Sequence, residues 1–445
     1  MSDVIWDIMR EHLDEAEFLV ETWSNCVDSP KFSVAKLRAG PEQRLLAHLE
    51  ALRVGGPIVV ERLLLPALNE VDDDEFRTAA VGLAILHGAG LDACEQLLAS
   101  LDRAEEVGHR GLVRGLSLSQ RDGLVPWLGR DLDRLAPRVL ASRLQILAAH
   151  RVNAGQRLVA WLGAEDLEVR RAAAQLARHT GAPSALHLLH PLMQHEDDAL
   201  RWAAIESGLI RGQMPAWLAV AREAFSPRGG TRQREALGWL AMLGDASVHQ
   251  RLLTTLRDAP TRALVWAAGL TGRPAAIDLA LELLEDPRLA RLAGEVVCAI
   301  AGLRDDEPDH WLDRGVRVGD ADDDGLPPLD RDDLERGVIP SGDDKLRLPD
   351  PDAVRFWWAR RRSQLDPRLR YSNGAALDLP ALARSLAAVP TRRRHPLALE
   401  LAARTTGRAQ IATWALTGAQ HGQIQDVFAR LAFADFQRGL ALPGN

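Results

Sequence analysis

Asp320, Asp322 and Asp324, followed by Gly325, set carboxylates at alternate positions ahead of a glycine, which is how a calcium-wrapping loop opens. The residue that should close such a loop with a bidentate glutamate is Arg331, and Pro327-Pro328 would break the intervening geometry. A solvated acidic linker without metal is the expectation. The densest positive charge lies in Arg360-Arg361-Arg362 and in Arg392, Arg393 and Arg394, the first run adjoining Trp357 and Trp358. Such runs grip an acidic partner or pair with the acidic stretch 305 to 344 of the same chain. The second is expected, with much of the charge left in water. No HExxH, GxSxG, GxxxxGK[ST] or strand-borne GxGxxG occurs, which removes the commonest zinc, serine and nucleotide enzymes. No catalytic residue, metal or cofactor is predicted.

The elements that would carry these residues are helices. Of 445 residues, 47% are hydrophobic and only 5% aromatic, and the abundance of Ala and Leu favours helix over strand. A net charge of −8 offers no basic excess to neutralise a phosphate backbone, so nucleic acid is not the expected partner. Cys26, Cys94 and Cys298 lie far apart and suggest neither disulfides nor a thiolate metal site. With no basic-then-apolar N-terminal segment and no membrane-length apolar run, the predicted compartment is the cytoplasm.

An arginine followed by small or apolar residues recurs at Arg77, Arg110, Arg138, Arg170, Arg201, Arg234, Arg262 and Arg291. The spacing falls in the range of helical-repeat arrays. Two positions after each anchor stands Ala or Leu, and three positions after stand Ala80, Val113, Ala141, Ala173, Ala204, Leu237, Val265 and Gly294. Small residues there let helices approach closely, so each anchor is expected to open an inward-facing helix. Asp74, Asp166 and Asp197 stand where they would cap the helices that follow. The arginines are read as a structural ladder between repeats rather than as a comb gripping an acidic partner.

The stretch Glu165-Asp166-Leu167-Glu168-Val169-Arg170-Arg171-Ala172-Ala173-Ala174 resembles the second-helix signature of HEAT repeats, and the resemblance runs from about 60 to 305. It implies an all-α, HEAT-like α-solenoid and says little of function. HEAT-like iron hydroxylases carry several facing His-Glu pairs, whereas His195-Glu196 stands alone in the repeats here. HEAT-like DNA glycosylases use a lone Asp and Trp residues in a basic groove. Trp202, Trp239 and Trp266 fall on inward helices, but tryptophan at helical spacing is usually core.

Four segments are expected: a helical cap at 1–60, the repeat array at 61–304, an acidic irregular linker at 305–350, and a helical C-terminal segment at 351–445. Within the cap, residues 3 to 28 read as one amphipathic helix ended near Ser29-Pro30. In the C-terminal segment, helix is expected at Leu379 to Val389, His395 to Arg404 and Asp426 to Leu440. The run Leu348-Pro349-Asp350-Pro351, Trp357-Trp358, Arg370-Tyr371, Arg392-Arg393-Arg394 and Glu400-Leu401-Ala402 resembles an uncharacterised proteobacterial HEAT-like family met among type VI secretion genes. The resemblance implies an accessory or adaptor role. The expected function is therefore a protein-binding scaffold or adaptor, with Trp202, Trp239, Trp266, Trp357, Trp358, Arg392, Arg393 and Arg394 as candidate partner-binding residues. The alternative is an enzyme on a HEAT scaffold, of lyase or glycosylase type, with a site that no motif reveals.

Overall fold

A computed structural model describes residues 4–70, 74–226, 232–312, 342–430 and 435–442. The calcium-like Asp320 to Asp324 stretch lies outside them. The chain divides into two compact units. Unit 1 comprises Met1–Asp28, Phe32–Ala219 and Leu401–Ala432, and unit 2 comprises Ser29–Lys31, Val220–Glu400 and Phe433–Asn445.

In unit 1, α1 (Trp6–Cys26) buries Leu13, Ala16, Leu19, Val20 and Trp23, one face of a 3.6-residue period. Against it pack α2 (Gln43–Val54) and α3 (Glu75–Gly88). From α3 the inner helices stack in order: α4 (Glu106–Leu118), α5 (Pro137–Ala149), α6 (Leu167–Leu176) and α7 (Asp198–Ile210), each on its predecessor. Outer helices, such as Leu91–Arg103 and Pro183–Leu192, return the chain between them. The small residues after each anchor permit this closeness: Ala79, Ala172 and Ala173 are wholly buried. At Gly111 and Gly115 a Cβ would press into the α3 backbone, so glycine is required for the approach of α4. The helix starts are fixed by side chains. Asp74 accepts from the N–H groups of Phe76 and Arg77, Asp166 from that of Val169, and Asp197 from that of Leu200.

Unit 1 is closed by a buried carboxylate. Glu42 accepts from Trp23 Nε1 at 3.0 Å, and from the backbone N–H (2.9 Å) and hydroxyl (2.5 Å) of Thr417. Thr417 opens α14 (Thr417–Arg430), so this one acid ties a helix from the end of the chain to α1. The sequence placed that last helix at Asp426 to Leu440; it begins nine residues earlier, at Thr417.

Unit 2 continues the pattern with α8 (Gln233–Leu243), α9 (Arg262–Thr271) and α10 (Ala290–Ala301), again stacked consecutively. Its other elements include α11 (Pro351–Arg361), a hairpin, α12 (Leu379–Ala388) and α13 (Thr391–Arg404), whose residues up to Glu400 belong to this unit. In the hairpin Tyr371–Ser372 pairs antiparallel with Ala375–Ala376 through Asn373-Gly374, both left-handed, as a two-residue turn requires. The amides of Asn373 and Gly374 donate to the carbonyls of Ala299 and Ile300, satisfying the end of α10. Among the described residues this is the one strand pair. No helix there is long and apolar enough to cross a membrane.

Candidate functional site

The hairpin and α13 close over α8, α9 and α10, and a cavity of about 40 Å³ remains between them, room for a few water molecules. Its wall is mainly apolar, including Met242, Val265, Trp266, Leu292 and Val296, with Glu295, Arg370, Arg393 and Glu400 among the lining groups. Trp266, on α9, has two guanidiniums against its ring, Arg234 and Arg392 at 5.0 and 4.8 Å from the centroid.

Arg370 is the most completely bonded group on the wall. Its Nε donates to the Thr271 carbonyl (2.9 Å), Nη1 to Glu400 Oε1 (2.5 Å) and the Phe436 carbonyl (3.0 Å), and Nη2 to the Leu270 carbonyl (3.1 Å) and Glu400 Oε2 (3.3 Å). All five donors of the guanidinium are thereby used. Both side chains are almost entirely buried. Glu295 faces Arg393, whose Nε lies 2.6 Å from Oε1 in ion-pair contact without an aligned hydrogen bond. Burial pushes the Glu295 carboxyl above its ordinary range, against the opposing pull of Arg393 and Arg392.

Asp343, from the acidic stretch, reaches into the same unit and bonds Arg234 (2.9 Å), Arg262 (3.2 Å) and Arg392. Burial opposes its ionisation, but the hydrogen bonds and charge of Arg234 and Arg392 outweigh that and hold the carboxyl well below the usual range.

The eight repeat anchors reach varied partners. Arg77 pairs with Asp14 and Glu17, Arg110 with Glu75 and Glu106, and Arg138 donates to the Ala104 carbonyl. Arg170 approaches His195 Nε2 at 3.5 Å, and Arg201 bonds the carbonyls of His195 and Glu196 and the side chain of Asp198. Arg234 and Arg262 converge on Asp343, and Arg291 donates to the Leu346 carbonyl. Between α6 and α7 the contact from the inner helix to the cap of the next is made by the residue beside the anchor. Arg171, not Arg170, forks onto Asp197, and its hydrogen bond lowers that carboxyl to about 2. His195 is engaged locally, accepting through Nδ1 from the Asp197 amide at 3.0 Å.

Of the candidate partner-binding residues, Trp202 and Trp239 are buried on α7 and α8, and Trp358 is buried with its Nε1 on Asp278. Trp266 and Trp357 are half-buried. The run Arg392, Arg393 and Arg394 was expected to pair with the acidic stretch 305 to 344, as Arg392 does on Asp343, and to leave much of its charge in water, which it does not. All three are buried: Arg392 on Asp343, Arg393 against Glu295, and Arg394 on the Leu386 carbonyl. Burial lowers the Arg394 guanidinium to about 10. The reason is their place on α13, which covers the cavity. Arg370, Glu400 and Glu295 were not singled out as site residues. The Asn373-Gly374 dipeptide was the available signal, since it marks the turn that carries Arg370 and Tyr371 to the cavity. Among the described residues no group of three or more His, Cys, Asp or Glu side chains is placed to hold a metal ion.

Residues 155–237 match the family model described as HEAT repeats. Comparison with curated proteins gives no match. Among solved structures, human deoxyhypusine hydroxylase in complex with glycerol is similar over 63% of this chain and 94% of that one, at 17% identity and a TM-score of 0.21. A likeness at that score gives no ground for carrying over activity or ligands. The repeat match and the consecutive inner-helix stacks together make the chain an all-α protein built on HEAT-like repeats.

Proposed function

We propose that this chain is a non-enzymatic scaffold that binds another protein, and that the cavity of unit 2 receives an apolar side chain of that partner. The supporting observation is the character of the wall: it is apolar, and its ionisable groups are matched in opposite-charge pairs, Arg370 with Glu400 and Arg393 with Glu295. An apolar recess rimmed by fixed polar groups suits an anchoring residue, which is where interfaces concentrate binding energy. Repeat arrays of this kind present extended surfaces to protein partners. A finer reading is an accessory of a type VI secretion system, supported by the sequence resemblance of the 348–402 segment alone.

A second reading, an enzyme on a HEAT scaffold, draws on Glu295. A carboxyl raised by burial in a cavity is the usual profile of a general acid or base. The scaffold reading is tested by filling the cavity. Ala299→Met places a flexible apolar side chain into it from α10. Quantitative capture from the source cell should recover a protein with the wild type and at least tenfold less of it with the folded variant. Equal recovery would remove the cavity from the account.

A further inference from the structure

Unit 1 holds a concentration of positive charge that the binding role does not use. Arg151, Arg178, Arg211 and Arg408 surround the turn that follows α13. Arg151 Nη1 donates to the Gln410 carbonyl at 2.7 Å, and Gln410 Nε2 donates to the carbonyls of Arg178 (2.9 Å) and Gly407 (3.0 Å). Arg211 lies between two glycines. A Cβ at Gly407 would collide with its Nη1, and one at Gly181 would stand 3.8 Å from its Nη2. The backbone is strained here as well, for Arg151 (φ 59°) and Thr406 (φ 49°) both sit in the left-handed region without being glycine.

The counter-charges are few. Arg178 pairs with Glu206 at 3.2 Å, and Asp426 is the carboxylate that Arg151 feels. Four guanidiniums against these two carboxylates leave an excess of two. Among the described residues the side chains of Arg211 and Arg408 make no hydrogen bond or ion pair, and Arg211 Nε is buried without a partner. Burial, and then the charge of Arg408, depress the Arg211 guanidinium. His179 alongside is pushed down to about 3 by burial, with Arg178, Arg151 and Arg211 adding to it. A half-buried arginine with no acceptor is costly, since buried charge is normally paired. Arg151 and Arg408 are exposed, so the cluster is reachable from solvent.

We propose that this cluster is an oxyanion site for a phosphate-type dianion, with Arg211 as the fork that holds two of its oxygens and Arg151 and Arg408 as flanking charges. A phosphate group brings close to two negative charges in one compact unit, matching the excess of two. Its oxygens suit the planar guanidinium fork. A single carboxylate would neutralise only half of it. The same chemistry is offered by the free ion and by a phosphomonoester on a larger molecule.

The test uses the full-length chain in phosphate-free buffer, titrated with inorganic phosphate, with a phosphoserine peptide, and with chloride at matched ionic strength. Binding is followed by calorimetry and thermal unfolding. Phosphate should raise the melting temperature where chloride does not. Arg211→Met should abolish that rise while melting, without phosphate, no lower than wild type, because it removes an unpaired charge and keeps the packing. A purely structural arginine would not give both results. Arg408→Gln, at an exposed position, should weaken phosphate binding at least fivefold and serves if Arg211→Met does not fold. A peptide that binds at least tenfold tighter than the free ion identifies a phosphomonoester as the ligand, and equal affinity identifies the ion. No phosphate effect beyond that of chloride, or an undiminished effect in the folded variants, overturns the proposal.

Discussion

Arg370→Met should destabilise the protein by about 5 kcal/mol, the larger of two expected effects in unit 2, because it strands the buried Glu400 carboxylate. The substitution also leaves the carbonyls of Thr271, Leu270 and Phe436 without their donor. Glu400→Gln is milder. Arg370 keeps its three carbonyl acceptors and the amide oxygen accepts in place of one carboxylate oxygen, so the expected cost is roughly 1 to 3 kcal/mol. Urea unfolding of both variants checks the order. If Glu400→Gln is as damaging as Arg370→Met, the carbonyl bonds contribute little and the account of this wall is wrong.

In unit 1 the corresponding test is Ala172→Asp. Ala172 is wholly buried on α6, which lies against both α5 and α7. A carboxylate there has neither space nor a partner, and the expected loss is roughly 3 to 5 kcal/mol. Ala172→Ser, adding one small polar atom, should cost about 1 kcal/mol. Thermal unfolding of the two distinguishes close helix packing from a merely crowded surface. An Ala172→Asp variant as stable as wild type would mean that the inner face has been misassigned.

The repeat helices were legible because their signal is local. A capping Asp, an arginine and small residues three and four positions apart all act within two turns, and periodicity records them. The cavity, the Asp343 cluster beside it and the closure of unit 1 were not legible, because their chemistry is made by residues far apart in sequence. Glu400 meets Arg370 from 30 positions away, Asp343 meets Arg234 from 109, and Glu42 meets Thr417 from 375. No period marks such pairs. The arginine run at 392–394 was legible in part: its pairing with the acidic stretch holds for Arg392 on Asp343, but adjacent like charges look like a solvated face, and α13 carries each to a separate buried acceptor. At Asp197 the ladder contact falls one position from the anchor, whereas the anchor Arg110 itself reaches Glu75 at the start of the preceding inner helix. Arg170 and Arg171 are equivalent in composition, and only the direction each leaves the helix decides which one reaches Asp197.

The proposed scaffold role and an enzyme make opposite demands on Glu295, a carboxyl on the cavity wall that burial raises. Glu295→Gln keeps its shape and removes its ability to take or give a proton. Loss of a general acid or base commonly removes orders of magnitude in rate while the fold survives. The decisive measurement is therefore the host function of a strain carrying only the Glu295→Gln chain, with folding confirmed by thermal unfolding and partner recovery measured beside it. A scaffold predicts that host function and partner recovery both stay within about twofold of wild type. Complete loss of function in a folded Glu295→Gln protein that still captures its partner would contradict the account and make Glu295 a catalytic residue.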